Sequence, residues 1–250
     1  MTHVDLVRRI VVLQSTGSTN DDARRLAAEG APEGTVILAE RQSAGRGRLG
    51  RAWDSQERLG LYLSLLLRPA DPQGLIGRYP IAVAVAVCEA CREFAGEGVV
   101  LKWPNDVLVA GEKLAGVLCE MRQGTAGADL VLGVGINVNQ LGRDFPPALR
   151  ASATSLRLLR RGVPVDRESV AVALLQSLAA AIARIRADAW PEVAERFLRY
   201  APDATGRRVR LATGGEGLTR GLDASGALCV ATAGGIVLVH ASDSVAIVGG

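Results

Sequence analysis

Between residues 35 and 138 the apolar positions come in short runs broken by glycine, proline and charged residues. These runs are TVILAE (35–40), LGLYLSLLLR (59–68), GVVLKW (98–103), DVLVA (106–110), KLAGVLCEM (113–121) and DLVLGVGINV (129–138). Runs of this length, rich in valine and leucine and bounded by turn formers, predict β-strands. Gly111-Glu112 predicts a tight turn between the fourth and fifth. Helical spacing governs the rest. Ser18 or Thr19 can cap a helix whose first turn holds Asp21 and Asp22, suited to its positive end, and which Gly30 stops. Residues 74–94 predict a largely apolar helix with its regular part starting at Pro80, residues 166–188 a long amphipathic helix, and residues 190–200 another. After Tyr200 the helical period is lost. The segment from Gly206 onward is a series of short β-like runs between glycine-rich turns, which predicts a small β-barrel packed on the main domain because so short a unit has little core of its own. The order of elements is that of an α/β (α+β) protein.

Composition narrows the class. The chain has 250 residues, 48% hydrophobic and 22% charged, with a formal charge of only +3 and its cations dispersed. This points to neither a nucleic-acid nor a membrane partner. No cationic segment followed by an apolar run opens the chain and no run nears 18 apolar residues, so a cytoplasmic location is expected. Cys88 and Cys91 share one face of the apolar helix; without a second pair at zinc spacing they read as core packing. The two histidines, His3 and His240, do not suggest a His-based nucleophile triad.

The stretch QSAGRGRLGRAW (42–53) contains GRGRLG, which fits the dinucleotide-binding pattern G-x-G-x-x-G letter for letter. That pattern needs its glycines to open a helix, whose N-terminus carries the pyrophosphate. Here the run leads from one predicted strand towards another, and the dinucleotide reading fails. A nucleic-acid grip would call for further basic clusters or stacking aromatics, and the whole chain has nine aromatic residues. A third reading fits better: the glycines let the backbone close over a small anionic ligand while Arg46, Arg48 and Arg51 present planar forks to a phosphate. The alternative is a glycine-rich hairpin with solvated arginines.

Lys102 and Lys113 are the only lysines, against 27 arginines, and lie on neighbouring predicted strands. A compact ammonium fits beside a carboxylate or phosphate where a broad guanidinium does not. Between them runs Trp103-Pro104-Asn105-Asp106, in which Pro104 interrupts the strand ladder.

Taken in order, STN (18–20), AGRGRLGRAW (44–53), KWPNDVL (102–108), GEKLAGVL (111–118) and GVGINVN (133–139) resemble the motifs of the biotin–protein ligases. The resemblance runs over essentially the whole chain. It implies a class II aminoacyl-tRNA-synthetase-like catalytic domain over residues 1–203, with a mixed central sheet flanked by helices, and an SH3-like barrel over residues 204–250. It also implies a two-step reaction. Biotin's carboxylate attacks the α-phosphate of ATP, giving biotinyl-5′-AMP and pyrophosphate; a lysine amine of a biotin carboxyl carrier protein domain then displaces AMP. Cations around the phosphate and a closed, dry site are what this chemistry asks for, and the arginine loop becomes a lid.

By the same resemblance, biotin contacts fall on Ser18, Thr19, Asn20, Gln42, Arg46, Gly47 and Arg48, with Gly116 allowing close backbone approach. Trp53 offers an apolar face to adenine and Asn137 an amide for its edge. Ser18 and Thr19 read equally as a helix cap, and Asn137 as a turn residue. Lys102 is the first choice for neutralising the carboxylate and α-phosphate, with Lys113 second, alongside Arg48. Asp106 could hold a lysine, a metal or a purely structural position. Magnesium is expected because pyrophosphate leaves, its ligands unspecified. Only 17 residues precede STN, so the monofunctional form without a DNA-binding domain is expected, with no operator binding. A homodimer through sheet edges is consistent with the resemblance. The competing readings are a lipoate or octanoate ligase, which would carry R-R-x-x-G-G-G in place of AGRGRLGR, a non-enzymatic biotin-sensing protein, and a nucleic-acid module.

Overall fold

The computed structural model describes residues 6–70, 76–124, 127–241 and 244–248. His3 and the start of the helix expected over residues 74–94 lie outside them. The central sheet has seven strands in the order β1-β2-β3-β7-β6-β5-β4. They are β1 (Arg9–Leu13), β2 (Thr35–Ala39), β3 (Gly60–Leu67), β4 (Val99–Lys102), β5 (Asp106–Val109), β6 (Glu112–Gly124) and β7 (Gly127–Asn137). β1 and β2 are parallel and every other neighbouring pair is antiparallel, so the sheet is mixed, as expected.

Helix α1 (Thr19–Ala28) packs on one face of the sheet, where Ala23, Leu26 and Ala27 meet Ile37, Leu66 and Val131. The other face is covered by α2 (Arg78–Ala95), against which α4 (Arg167–Arg186) and α5 (Trp190–Tyr200) pack while also reaching β3 and β4; a single short turn, α3 (Leu156–Leu159), precedes α4. Cover on both sides explains why β3 is buried at every position and reads as an almost unbroken apolar run. Pro80 does not start α2: it is the third residue, within the first turn, where a missing N–H costs no helical bond. By length and composition α4 could cross a membrane, with a mean hydropathy of 1.5. Its Val170, Leu174, Leu178, Ile182 and Ile185 instead pack into the core. Asp166 caps it by accepting from Ser169 N at 2.9 Å.

The hairpin between β5 and β6 turns on Ala110-Gly111, with φ of 50° and 86°, one residue earlier than the expected Gly111-Glu112. Two positive φ values in a two-residue loop match the twist of the flanking strands. Beyond α5 the chain forms a five-stranded antiparallel sheet in the order β11-β10-β9-β8-β12, from β8 (Thr205–Leu211) and β9 (Glu216–Leu222) through β10 (Leu228–Thr232) and β11 (Gly235–Val239) to β12 (Val245–Ile247). This unit is fixed to the main domain: Trp103 Nε1 donates to Gly226 O (3.2 Å), Trp190 Nε1 to Asp223 O (3.2 Å) and Arg78 Nε to Ala224 O (2.7 Å).

Candidate active site

Side chains that alternate along a strand share a face every second residue. On the α1 side of the sheet this rule collects Ser64 on β3, Gly133 and Gly135 on β7, and Gly116, Leu118 and Glu120 on β6; Ser64 pairs with Gly133, Gly133 with Leu118, Gly135 with Gly116, and Gly116 with Asp106 of β5. The glycines make a floor. A Cβ on Gly133 would lie 2.3 Å from Asn20 Oδ1, and one on Gly135 2.5 Å from Trp53 Cε2, so both side chains rest directly on the strand backbone.

Above this floor lies a cavity of about 260 Å³. It is bounded by the start of α1 (Ser18, Thr19, Asn20), by the loop between β2 and β3 (Gln42, Arg46, Gly47, Arg48, Trp53) and by Asp106, Lys113, Gly116 and Asn137. The sequence motifs thus converge on one place, with one exception. Lys102 is exposed at the end of edge strand β4, one strand beyond Asp106, and does not line the cavity. Lys113 does. Its Nζ lies 2.6 Å from Asp106 Oδ1 and 5.5 Å from the centre of the Trp53 ring. The cation that the sequence put second therefore stands where the first was expected.

The loop is a small hairpin with Leu49 and Gly50 at its tip in left-handed conformation (φ 57° and 72°). Arg48–Gly50 is a single 3-10 turn and β3 follows without a helix, in keeping with rejection of the dinucleotide reading. The hairpin is held down at three points. Gln42 Oε1 accepts from Thr19 N (2.9 Å) and Thr19 Oγ1 (3.1 Å), while its Nε2 donates to Ser55 Oγ (2.8 Å). Arg46 forks onto Asp21 of α1 at 2.6 and 2.9 Å. Arg48 Nη1 donates to Asn105 Oδ1 at 3.1 Å. Arg46 and Arg48 are thus engaged with protein partners in this state rather than presented freely to a phosphate. The α1 cap expected of Ser18 is also different: Ser18 occupies the N-cap position, but its hydroxyl makes no capping bond, and the Gln42 side chain takes Thr19 N instead.

Asn137 is buried, with Nδ2 donating to Lys113 O (3.3 Å) and Oδ1 accepting from Gln140 Nε2 (3.3 Å). Trp53 Nε1 is buried without a hydrogen-bond partner among the described residues. Several cavity residues carried no motif: Phe145, Leu149, Ser152 and Ala153 come from the irregular segment after β7. Ser64 and Glu120, which hold Asn20 from beneath rather than line the cavity, were also missed, although Ser64 interrupts an otherwise apolar β3. Four cations of the lining (Arg46, Arg48, Arg51, Lys113) face two carboxylates (Asp54, Asp106), which suits an anionic ligand. Cys119 is half-buried on the opposite face of β6, and burial pushes its thiol pKa up against the opposing pull of Arg48. Among the described residues no cluster of three His, Cys, Asp or Glu could hold a metal by itself.

Residues 12–137 match the biotin/lipoate A/B protein ligase family, and residues 205–243 match the biotin protein ligase C-terminal domain. Over 249 residues the chain is 40% identical to a biotin–[acetyl-CoA-carboxylase] ligase of Mycobacterium tuberculosis, covering 95% of this chain and 89% of that one. It is 36% identical over 229 residues to the bifunctional ligase/repressor BirA of Bacillus subtilis, covering 90% and 70%. A biotin protein ligase from Aquifex aeolicus, solved in complex with biotin and ATP, shares the fold with a TM-score of 0.79 at 30% identity, covering 96% of this chain and 99% of that one. A mixed sheet with a glycine floor under an arginine loop, and a family match over half the chain, place this protein in the biotin/lipoate A/B protein ligase family. Its relatives and its C-terminal domain put it among the biotin protein ligases of that family.

Proposed function

We propose that the protein joins biotin to AMP at this cavity, releasing pyrophosphate from ATP, and then passes the biotinyl group to a lysine of a biotin carboxyl carrier protein domain. The observation that carries the proposal is the placement of Lys113 and Arg48 on the same cavity as Ser18, Thr19, Asn20 and Gln42. One end offers hydroxyls and amides for a neutral polar ring; the other offers cations for a carboxylate and a phosphate.

In this reading Lys113 leaves Asp106 to neutralise the carboxylate and α-phosphate as they approach. Arg48 leaves Asn105 for the same phosphate, and the loop closes over the mixed anhydride to exclude water. Trp53 lies against adenine and Asn137 near its edge. Asp54 and Asp106, the carboxylates of the lining, would hold a magnesium ion brought by the triphosphate, a cation usually bound by one or two carboxylates and substrate phosphates. Bound there, it would neutralise the departing pyrophosphate. Residues 1–203 would carry the chemistry, with residues 204–250 as the C-terminal unit.

The test is biotin-dependent exchange of labelled pyrophosphate into ATP, run beside lipoate. Exchange with biotin alone supports the proposal. Exchange with lipoate instead, or none with either, overturns it. Transfer to a purified carrier domain, followed by mass, tests the second step.

A further inference from the structure

Asn20 is 4% exposed and its amide is bound at both ends. Its Nδ2 donates to Glu120 Oε2 at 2.7 Å and to Leu118 O at 3.4 Å, while its Oδ1 lies 2.6 Å from Ser64 Oγ. A carboxylate can only accept, so Glu120 dictates which end of the amide faces it. Both Nδ2 hydrogens are spent, whereas Oδ1 has a second lone pair and Asn20 lines the cavity. Asn20 therefore meets a ligand as an acceptor, suited to an N–H donor.

Glu120 reaches further. Its Oε1 accepts from Arg24 Nη1 at 2.9 Å, and Arg46 Nη2 lies 3.7 Å from its Oε2. Arg24 also pairs with Asp21, the residue on which Arg46 forks. One carboxylate on the sheet thus touches the ligand-facing amide, the helix that carries it and the loop that covers the cavity.

We propose that Glu120 is a positioning residue: it fixes the acceptor orientation of Asn20 and, through Arg24 and Arg46, couples that orientation to seating of the loop. The inference rests on the biotin reading above and adds that Asn20 receives an N–H of the ureido ring.

The experiment is calorimetry of biotin binding, with thermal melting in parallel, on wild type, Asn20→Asp, Glu120→Gln and the double variant. Asn20→Asp sets two carboxylates against each other and is expected to weaken biotin about ten- to a hundredfold, the cost of a lost hydrogen bond to a charged group. Adding Glu120→Gln restores a donor facing an acceptor with the direction reversed, leaves an oxygen towards the cavity, and is expected to recover most of the affinity. Glu120→Gln alone removes the anion shared by Arg24 and Arg46, so it should weaken biotin and speed adenylate release while the KM for ATP stays unchanged. A double variant that regains its melting temperature but not its biotin affinity overturns the inference, because a merely structural Glu120 behaves so. Glu120→Gln with wild-type affinity and release overturns it too. A wild type that binds no biotin overturns the functional reading and this inference together, whereas an active wild type with indifferent variants overturns this inference alone.

Discussion

Lys113 Nζ and Asp106 Oδ1 stand 2.6 Å apart on adjacent strands, at the edge of the cavity and partly open to it. In the proposed mechanism the ammonium exchanges this carboxylate for an incoming anion, whereas Lys102 is exposed outside the cavity. Lys113→Ala is expected to lower biotin-dependent pyrophosphate exchange by about 10²–10³-fold, the range for one lost transition-state donor. Lys113→Arg should recover little, because a fork does not fit where a point charge did. Lys102→Ala should stay near wild type. The reverse ranking in the exchange assay would return the assignment to Lys102.

Gly133 and Gly135 lie two residues apart on the same face of β7, one under Asn20 and the other under Trp53. A methyl at either falls closer than 3 Å to the side chain above, so that side chain must move. Gly133→Ala is expected to raise the Kd for biotin with little effect on ATP, and Gly135→Ala to raise the KM for ATP with little effect on biotin. Separate titrations of the two substrates check this. Equal effects of both substitutions on both substrates would mean that the floor does not divide the cavity as proposed.

The strands were legible where burial was strongest. The run 59–68 became β3 because both of its faces are covered, and a doubly buried strand writes itself as continuous leucine. β1 was missed for a different reason: Val11 and Leu13 pack on the cluster under α1 while Ile10 and Val12 are 53% and 62% exposed at the sheet edge, so four consecutive apolar residues hide the alternation of a one-sided edge strand. In the site, short motifs marked Ser18 to Asn20, the arginine loop and Gly116 because glycine and small polar residues are demanded there by close approach. Counting every second residue on from Gly116 reaches Glu120, so strand period alone could have found it. Phe145 comes from an aperiodic loop whose position is set by tertiary packing. The ranking of Lys102 over Lys113 had no local signal to correct it, since both lie at strand ends and only the cavity distinguishes them.

Cys88 is fully buried on α2, and burial pushes its thiol from 9.0 up to about 12. A group whose folded pKa is raised stabilises the protein fully below its unfolded value and loses that contribution as pH rises towards the folded one. The relevant window is therefore pH 9 to 12. Over it this one thiol should steepen the fall of unfolding free energy by about 1.4 kcal/mol per pH unit. Urea unfolding of wild type and Cys88→Ala across that window checks the sign: the variant should be less stable at neutral pH through its small cavity, yet lose stability less steeply above pH 9. Parallel slopes would show that Cys88 is not the group that titrates.

Arg48 joins the loop to Asn105, which is itself anchored to β6 by Nδ2 donating to Val117 O at 2.7 Å. Arg46 on the same hairpin is tied to Asp21, so removing Arg48 frees the tip while leaving the base attached. Arg48→Gly deletes one charge-assisted contact and adds backbone freedom next to Leu49, which already holds a left-handed conformation and is 60% exposed. The closed state should become less populated, adenylate formation should survive in part, and the mixed anhydride should escape to acylate amines at random. The chain has only two lysines of its own, so a lysine-rich bystander is the better reporter. Wild type and Arg48→Gly are incubated with biotin, ATP, magnesium and serum albumin, blotted with streptavidin, and followed for adenylate release. Faster release with heavier albumin labelling is the expected result. A variant that still makes adenylate but neither releases it faster nor labels more albumin would mean that this loop does not act as a lid.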